Sequence, residues 1–333
     1  MKQYLILFRP YGMLFLGLTP FFGAVTNGEV RIVNLFLLLL VGCLVHIFTF
    51  TQNDYYDVEV DQHSTYVANR PLSTGRISQN SVVLIFSVCF IVCILISIFS
   101  FFRIFSFIFL IVGFFCMTLY NKFSKQFAGM EYILGLGVIC FGLFGALTIS
   151  YTISFFVVLV VLFGFFQWLF SVGVSANLKD VEFDMQQGIA TTPVVLGVRF
   201  SGGFLVVPGV FKLYGFFIKI CHILIALSIM IFGYASFWVA GFLVPGFLFF
   251  LVSVIVLYLS FRILSPQGAK RDSMLVYAGL QEGLSFLLLP IALMSYLIEQ
   301  VSMVSTGFLL LTIIVWPVFW FRLLFGKRLI PLE

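Results

Sequence analysis

The chain has 333 residues, of which 62% are hydrophobic and only 9% are charged, with a net charge of +5. Soluble domains carry about 25% charged residues, so this composition excludes an ordinary soluble fold and indicates an all-α polytopic membrane protein. The basic residues are scattered mostly singly, which excludes a nucleic-acid-binding surface and makes them indicators of membrane orientation instead.

A helix needs about 20 apolar residues to cross a bilayer. Ten apolar runs meet this criterion, at residues 11–28, 32–52, 80–100, 104–121, 130–150, 153–175, 214–234, 237–261, 275–298 and 305–324. If the N-terminus is cytoplasmic and the spans alternate, fifteen of the 18 Lys and Arg residues fall on the inner side or in inner segments. No linker or low-complexity tail interrupts the chain, so we predict a single transmembrane domain over residues 1–333.

Acidic residues are concentrated in two places, each at the end of an apolar run. Residues 53–61 read Asn-Asp-Tyr-Tyr-Asp-Val-Glu-Val-Asp, and residues 180–184 read Asp-Val-Glu-Phe-Asp. When one stretch is set on the other, Asp57 aligns with Asp180 and the two lie 123 residues apart. We interpret the match as an internal repeat that brings two sets of carboxylates to one site on the cytoplasmic face.

The spacing of these residues favours metal binding. On a helix, Asn53, Asp57 and Asp61 recur at every fourth position, and Asp180 and Asp184 have the same spacing. Carboxylates on one helical face repel each other, and at a membrane boundary their charge needs compensation. Oxygen ligands of this kind suit Mg2+, which binds through a few carboxylates together with substrate phosphate oxygens. The alternative for either stretch alone is a solvated acidic helix end.

Three cations on the same side are candidates for contact with phosphate oxygens. Arg70 is the first choice, because the proline that follows it restricts the local backbone. Lys122 and Lys125 lie at the end of the fourth predicted span, and the sequence does not choose between them. The alternative for each cation is anchoring at the inner membrane surface.

A few isolated polar residues occur in or beside the predicted spans. His46 is predicted to be a satisfied core histidine, with a place at the border of a cavity as the alternative. Lys219 and His222 share one helical turn. They either line a pocket for an acceptor substrate or pair with neighbouring residues. Glu131 and Glu282 are further candidates for acceptor contacts.

The two acidic stretches resemble the paired signatures of the UbiA superfamily of intramembrane prenyltransferases. The first match is Asn53-Asp54-x-x-Asp57-x-x-x-Asp61 with Asn69-Arg70-Pro71, and the second is Lys179-Asp180-x-x-x-Asp184-x-x-x-Gly188-x-x-x-Thr192-Pro193. Arg9-Pro10, before the first span, also belongs to the match. Two features depart from the family pattern: Phe183 stands where a glycine is common, and a tenth apolar run follows the usual nine spans.

The resemblance implies nine transmembrane helices around a central cavity, with two acidic loops forming a cytoplasmic cap. It also implies two Mg2+ ions that hold the diphosphate of an isoprenoid donor. One metal side would consist of Asn53, Asp54, Asp57 and Asp61, and the other of Asp180 and Asp184. Arg70 and a lysine, Lys122 or Lys125, would hold the diphosphate together with Asn53.

The expected function is Mg2+-dependent transfer of an isoprenoid chain from a polyprenyl diphosphate, with Asp54, Asp57, Asp61, Asp180 and Asp184 as the catalytic set. The first signature favours a geranylgeranyl-type donor and a glycerol-phosphate lipid acceptor, with an aromatic quinone precursor as the alternative. An ion-coupled transporter is the alternative of another class, although its carboxylates are expected nearer the middle of the spans. We expect membrane lipids around the protein and no obligate protein partner.

Overall fold

The computed structural model of the chain describes residues 2–63, 67–201, 204–232, 244–265 and 271–326. These residues are mostly helical. The α-helices are Lys2–Phe8, Pro10–Thr26, Ile32–Gln62, Gln79–Phe101, Ile104–Phe123, Met130–Leu147, Phe155–Trp168, Asn177–Gln186, Thr192–Val195, Gly209–Phe232, Val244–Leu264, Arg271–Ala292, Met294–Gln300 and Met303–Phe325. A π-helical segment, Leu169–Ala176, joins the seventh helix to the eighth, and the strands Arg199–Ser201 and Phe204–Val206 pair antiparallel.

Within the described ranges, nine helices are long and apolar enough to cross a membrane. The helices Lys2–Phe8 and Pro10–Thr26 meet at an angle of 43° and together form a tenth candidate. Each of these ten corresponds to one of the predicted spans, so the predicted helical membrane architecture is confirmed. Residues 237–243, with which the eighth predicted span begins, lie outside the described part of the chain.

The break in the first span lies at Arg9. Pro10 has no backbone N–H to donate and favours the first position of a new helix, which explains why the second helix begins there. Arg9 itself has φ 48, and it is the one non-glycine residue with a positive φ among those described. Such a left-handed conformation is unfavourable for a residue with a Cβ, so other contacts must hold it.

The acidic stretches continue two long helices, whereas the resemblance implies loops. The helix Ile32–Gln62 contains the first stretch, and the continuous helical span Phe155–Gln186, with its π-helical segment, contains the second. Ile32 and Phe155 are 123 residues apart, which is the offset between Asp57 and Asp180. The carboxylates are therefore placed by helical periodicity, as their spacing predicts.

The chain divides into two compact units. The first consists of residues 1–123, 136–157 and 315–333, and the second consists of residues 124–135 and 158–314. The first acidic stretch lies in the first unit and the second stretch in the second. The single-domain organisation predicted from the sequence stays a prediction.

Each unit has its own packing arrangement. In the first unit, glycines let helix backbones touch: a Cβ added to Gly23 would lie 2.1 Å from the carbonyl oxygen of Gly142. Small residues commonly serve this purpose between membrane helices. In the second unit, Phe211 and Ile218 belong to a buried apolar cluster that includes Phe170 of the π-helical segment.

Candidate active site

The first acidic stretch places three buried carboxylates on the helix Ile32–Gln62. Asp54, Asp57 and Asp61 are only 3%, 7% and 6% exposed, whereas Glu59 in the same stretch is exposed. Burying a carboxylate is unfavourable unless a partner compensates its charge. A merely solvated helix end would leave all four residues in water, so this alternative does not describe the first stretch.

Arginine and asparagine side chains compensate these carboxylates. Arg70 Nη1 lies 3.2 Å from Asp54 Oδ1 and 2.6 Å from Asp61 Oδ2. Asn53 Nδ2 donates to Asp57 Oδ2 at 3.1 Å. The structure therefore brings Asn53 and Arg70 together with the three aspartates in the first unit.

Arg9 is a further partner of the first stretch. Its Nη2 donates to Oδ1 of Asp54, and its guanidinium lies 4.9 Å from the centre of the Phe50 ring. Arg9 is not among the site residues predicted from the sequence. The Arg9-Pro10 pair before the first span was the signal that could have identified it.

His46 holds the backbone at the break between the helices Lys2–Phe8 and Pro10–Thr26. Its Nε2 donates to the carbonyl oxygens of Phe8 and Arg9, at 3.2 and 3.1 Å. The ring is 1% exposed, as expected for a core histidine. These bonds help to explain how Arg9 is held in its left-handed conformation beside Asp54.

The second acidic stretch contains one fully buried carboxylate. Asp184 accepts a hydrogen bond from Thr191 Oγ1 at 3.1 Å through Oδ2, and its Oδ1 lies 3.6 Å from Lys125 Nζ. Oδ1 is buried and receives no hydrogen bond from the residues that the structure describes. Asp180, one helical turn earlier, is half-buried and repels it electrostatically.

The structure distinguishes the two candidate lysines. Lys125 forms the ion pair with Asp184. Lys122 is exposed, and its ammonium group lies 5.3 Å from the centre of the neighbouring Phe123 ring. Lys125 is therefore the lysine that lies beside a predicted metal-binding carboxylate.

Glu131 and two threonines complete the surroundings of Asp184. Oε1 of Glu131 accepts hydrogen bonds from Thr192 Oγ1 at 2.6 Å and from the hydroxyl of Tyr214 at 3.1 Å. Thr191 is the neighbour of Thr192 and donates to Asp184. From the sequence, Thr192 is only a part of the second signature, and Glu131 is a candidate for an acceptor contact. In the structure Glu131 has hydrogen-bond partners within the protein, and its contact with an acceptor stays a prediction.

Lys219 and His222, two further polar residues of the second unit, are also buried. Lys219 Nζ donates to Gln167 Oε1 at 3.1 Å and to Ser285 Oγ at 3.2 Å. The His222 ring lies 4.2 Å from the ring of Phe163. For Lys219, pairing with neighbours is thus the observed arrangement.

The chemistry of these residues fits Mg2+ bound together with a phosphorylated substrate. In the described ranges, no three His, Cys, Asp or Glu side chains converge on a ready-made metal cage. Mg2+ seldom uses such a cage and is usually held by one or two carboxylates, water and substrate phosphates. Asp57 and Asp61 in the first unit carry carboxylate oxygens of the kind that Mg2+ prefers, and so does Asp184 in the second unit. Asp184 Oδ1 has no hydrogen-bond donor among the described residues.

Sequence comparisons identify relatives of the chain. The model of the UbiA prenyltransferase family matches residues 14–274, which contain both acidic stretches. A 4-hydroxybenzoate octaprenyltransferase from Francisella tularensis subsp. tularensis (strain FSC 198) is 29% identical over 166 residues, covering 47% of this chain and 52% of the relative. The chain thus spans about half the length of the curated relatives it matches.

Solved structures show the same fold at low identity. A digeranylgeranylglyceryl phosphate synthase structure matches with a TM-score of 0.61 and 18% identity, covering 90% of this chain and 98% of that chain. A UbiA homolog from Archaeoglobus fulgidus bound to GPP and Mg2+ matches with a TM-score of 0.58 and 17% identity, covering 86% and 99% of the two chains. At these identities the likeness establishes the fold alone.

Proposed function

The chain belongs to the UbiA prenyltransferase family and is an intramembrane prenyltransferase, and on this premise we propose which substrates and residues it uses. The proposed reaction transfers an isoprenoid chain from a polyprenyl diphosphate to an acceptor in the membrane and depends on Mg2+. The observation that carries the assignment is the burial of Asp54, Asp57, Asp61 and Asp184 in a chain with only 13 acidic residues. An ionisable group buried in a membrane segment is by default a candidate for a functional site.

We assign the metal-binding and catalytic roles to the two acidic stretches. Asn53, Asp54, Asp57 and Asp61 would provide ligands from the first stretch, and Asp180 and Asp184 would provide them from the second. Bound Mg2+ would supply charge stabilisation for the departing diphosphate.

Arg70 and Lys125 are proposed to contact the diphosphate. Both are cations that already form ion pairs with carboxylates of the acidic stretches, so a phosphate oxygen can take over part of this charge pairing. Lys122, the other lysine suggested by the sequence, makes no ion pair within the described residues and is the less favoured candidate.

The positive charges of Mg2+, Arg70 and Lys125 would favour breaking the allylic C–O bond of the donor. Its electron pair stays on the diphosphate, whose added negative charge is stabilised by cations placed beforehand. The acceptor then forms a bond to the allylic carbon and loses a proton to solvent. Since cationic groups act mainly on the leaving group, their removal should affect use of the donor more than use of the acceptor.

For the acceptor, we propose a glycerol-phosphate lipid with a geranylgeranyl-type donor. The first signature supports this choice. The second candidate is prenylation of an aromatic quinone precursor, which the 29% identity to a 4-hydroxybenzoate octaprenyltransferase favours. An excess of basic residues in the inner segments supports a cytoplasmic active site.

A prenyl transfer assay tests the proposal. Purified protein in detergent is given labelled geranylgeranyl diphosphate with either geranylgeranylglyceryl phosphate or 4-hydroxybenzoate, in Mg2+ or EDTA. The informative pair of variants is Asp57→Asn and Glu59→Gln, because one carboxylate is buried and its neighbour is exposed. We expect Mg2+-dependent product, a loss of at least about 100-fold for Asp57→Asn, and a change of less than about twofold for Glu59→Gln.

The two acceptors give separate outcomes. Product with the lipid only confirms the favoured acceptor, and product with the aromatic acid only selects the second candidate. If the folded protein consumes neither geranylgeranyl diphosphate nor, in a repeat of the assay, shorter and longer prenyl diphosphates, the assignment of substrate and metal is wrong. An ion-coupled transporter would then be the function to examine.

A further inference from the structure

Glu131 is a buried carboxylate whose contacts lead to the proposed diphosphate site. It is 3% exposed and lies at the start of the helix Met130–Leu147. Both of its recorded hydrogen bonds, from Thr192 and Tyr214, go to the same oxygen, Oε1. A buried carboxylate needs such donors to offset the loss of solvation.

Thr192 extends this contact to the segment that carries Lys125. Its hydroxyl oxygen accepts a hydrogen bond from the backbone N–H of Gly129 at 3.0 Å while the hydroxyl donates to Glu131. Gly129 has φ +82, a conformation that favours glycine. The bonds to Thr192 therefore fix one end of the segment 124–129, and Lys125 lies four residues earlier in that segment.

The hydrogen bonds of Thr192 to Glu131 and Gly129 form a junction between chain segments, and this junction also orients Asp184. Thr191, adjacent to Thr192, donates to Asp184 Oδ2, and Lys125 lies beside Oδ1. Among the described residues, the Asp184 side chain thus has two partners, Thr191 and Lys125. Both belong to chain segments that the contact between Glu131 and Thr192 holds together. Loss of the junction would release the lysine and the carboxylate at once.

The neighbouring π-helical segment approaches Glu131 closely at Gly173. A Cβ added to Gly173 would lie 2.8 Å from Cγ of Glu131. Gly173 belongs to the π-helical segment Leu169–Ala176, and π-helical turns are frequent at functional sites. The close approach means that Glu131 occupies a defined position and cannot swing toward Gly173.

We propose that Glu131 is a positioning residue for the proposed diphosphate site, acting through Thr192 to place Lys125 and Asp184. This inference rests on the proposed function, because Lys125 and Asp184 are the groups that bind the diphosphate and Mg2+. The role needs Oε1 as a hydrogen-bond acceptor and does not need a negative charge. That requirement separates it from a role as a base or an acceptor contact, in which the ionised carboxylate itself would be used.

Two pairs of variants separate these roles. Glu131→Gln keeps an oxygen that can accept a hydrogen bond. Glu131→Leu removes this oxygen and keeps a side chain of similar size. Thr192→Ser keeps the hydroxyl, and Thr192→Val removes it. Thr312→Val is a matched control, because the Thr312 hydroxyl is exposed and donates to Phe308 in its own helix.

The readouts are the KM for geranylgeranyl diphosphate, the KM for the acceptor, and the Mg2+ concentration that gives half-maximal rate. We expect Glu131→Leu and Thr192→Val to raise the donor KM and the Mg2+ requirement by about 10-fold or more, since misplacing a binding group by about 1 Å has effects of this size. Glu131→Gln, Thr192→Ser and Thr312→Val should remain within about threefold of wild type on the same basis. The acceptor KM should change little in every variant.

Two results would overturn the inference. Equal inactivity of Glu131→Gln and Glu131→Leu would mean that the charge is required, and an unchanged donor KM in folded Glu131→Leu and Thr192→Val would mean that the junction is dispensable. If Glu131→Leu does not fold, the donor KM of Thr192→Val alone tests whether the junction is needed.

Binding of inorganic diphosphate with Mg2+, measured by calorimetry, distinguishes failure of this inference from failure of the proposed function. Weaker binding in Thr192→Val but not in Thr192→Ser supports the junction even if no transfer is detected. If wild type binds no diphosphate, the proposed function fails and this inference fails with it. If wild type binds and both threonine variants bind equally well, only the inference fails.

Discussion

The guanidinium of Arg70 lies 2.6 Å from Oδ2 of Asp61, nine residues earlier in the chain. The same Nη1 also lies 3.2 Å from Asp54, so one cation serves two buried carboxylates. These are carboxylates to which we assign metal binding. Arg70 and Mg2+ would therefore compete for the same oxygens, and the protein should depend on Arg70 most when no metal is present.

Replacing Arg70 with Gln tests this dependence. Breaking a buried pair leaves an uncompensated charge, but the Arg70 side chain is 24% exposed and solvent weakens the effect. We expect the free energy of unfolding to fall by about 1–3 kcal/mol in EDTA and Mg2+ to restore more stability than it adds to wild type. Thermal unfolding in EDTA and in Mg2+ measures both.

Arg76→Gln is the matched control for Arg70, because Arg76 is an exposed arginine six residues away. Its stability should change by less than about 0.5 kcal/mol, as is usual for surface substitutions. Equal unfolding temperatures for wild type and Arg70→Gln in EDTA would argue against the compensating role of Arg70.

The two lysines beside the fourth predicted span should differ in their effect on the donor. Lys125 contacts Asp184, whereas Lys122 is exposed. A hydrogen bond to a charged group contributes about 1.5–3 kcal/mol, so Lys125→Met should raise the KM for a prenyl diphosphate by roughly 10-fold or more. Lys122→Met should raise it less than about twofold, as expected for a weakly engaged surface charge. A larger effect at Lys122 than at Lys125 in steady-state kinetics would reverse the assignment.

The parts of the fold that follow from local sequence could be predicted. Apolar run length gave the spans, and the fourth-residue spacing of Asn53, Asp57 and Asp61 gave their common helical face. Two of the contacts to buried carboxylates could not be derived in this way, because their partners are distant in sequence. Arg9 is 45 residues from Asp54, and Thr192 is 61 residues from Glu131.

The π-helical segment and the short strand pair were also missed. Neither has a periodic apolar pattern of its own, since Leu169–Ala176 continues an apolar helix and each strand has three residues. Their geometry depends on neighbours: Gly173 in the π-helical segment adjoins Glu131. Sequence periodicity does not report such contacts.

Glycine packing in the first unit predicts a large effect of one added side chain. A Cβ on Gly145 would lie 2.0 Å from the carbonyl oxygen of Pro20, which is backbone and cannot move aside easily. We expect Gly145→Val to destabilise the protein by at least about 2–3 kcal/mol and to lower its unfolding temperature in detergent.

Gly307→Ala is the control for this packing effect, because an added Cβ would meet no described atom within 4 Å apart from its chain neighbours and its own helix backbone. Alanine is favoured over glycine in a helix interior by about 0.5–1 kcal/mol, so this variant should be as stable as wild type or more stable. Comparable destabilisation by both substitutions would contradict a specific close approach at Gly145.

Glu29 binds the beginning of the helix Ile32–Gln62. Its Oε1 accepts from the backbone N–H of Arg31 at 2.9 Å, and its Oε2 accepts from Asn34 Nδ2 at 2.6 Å. Burial alone would raise the pKa of Glu29, but hydrogen bonds from Arg31 and Asn34 and the charge of Arg31 outweigh it and lower the pKa to about 2. The ionised carboxylate is thus the form that the folded protein favours.

The pH dependence of stability follows from the direction of this shift. The ordinary pKa of the group is 4.5, so its contribution is fully present above that pH and is lost as the pH falls toward 2. We expect Glu29→Gln to lower the free energy of unfolding at pH 7 by about 1 kcal/mol, a modest value because Arg31 is largely solvated. The difference between wild type and Glu29→Gln should shrink between pH 5 and pH 3 in thermal unfolding. A difference that stays constant over this range would mean that Glu29 stabilises the helix start without its charge.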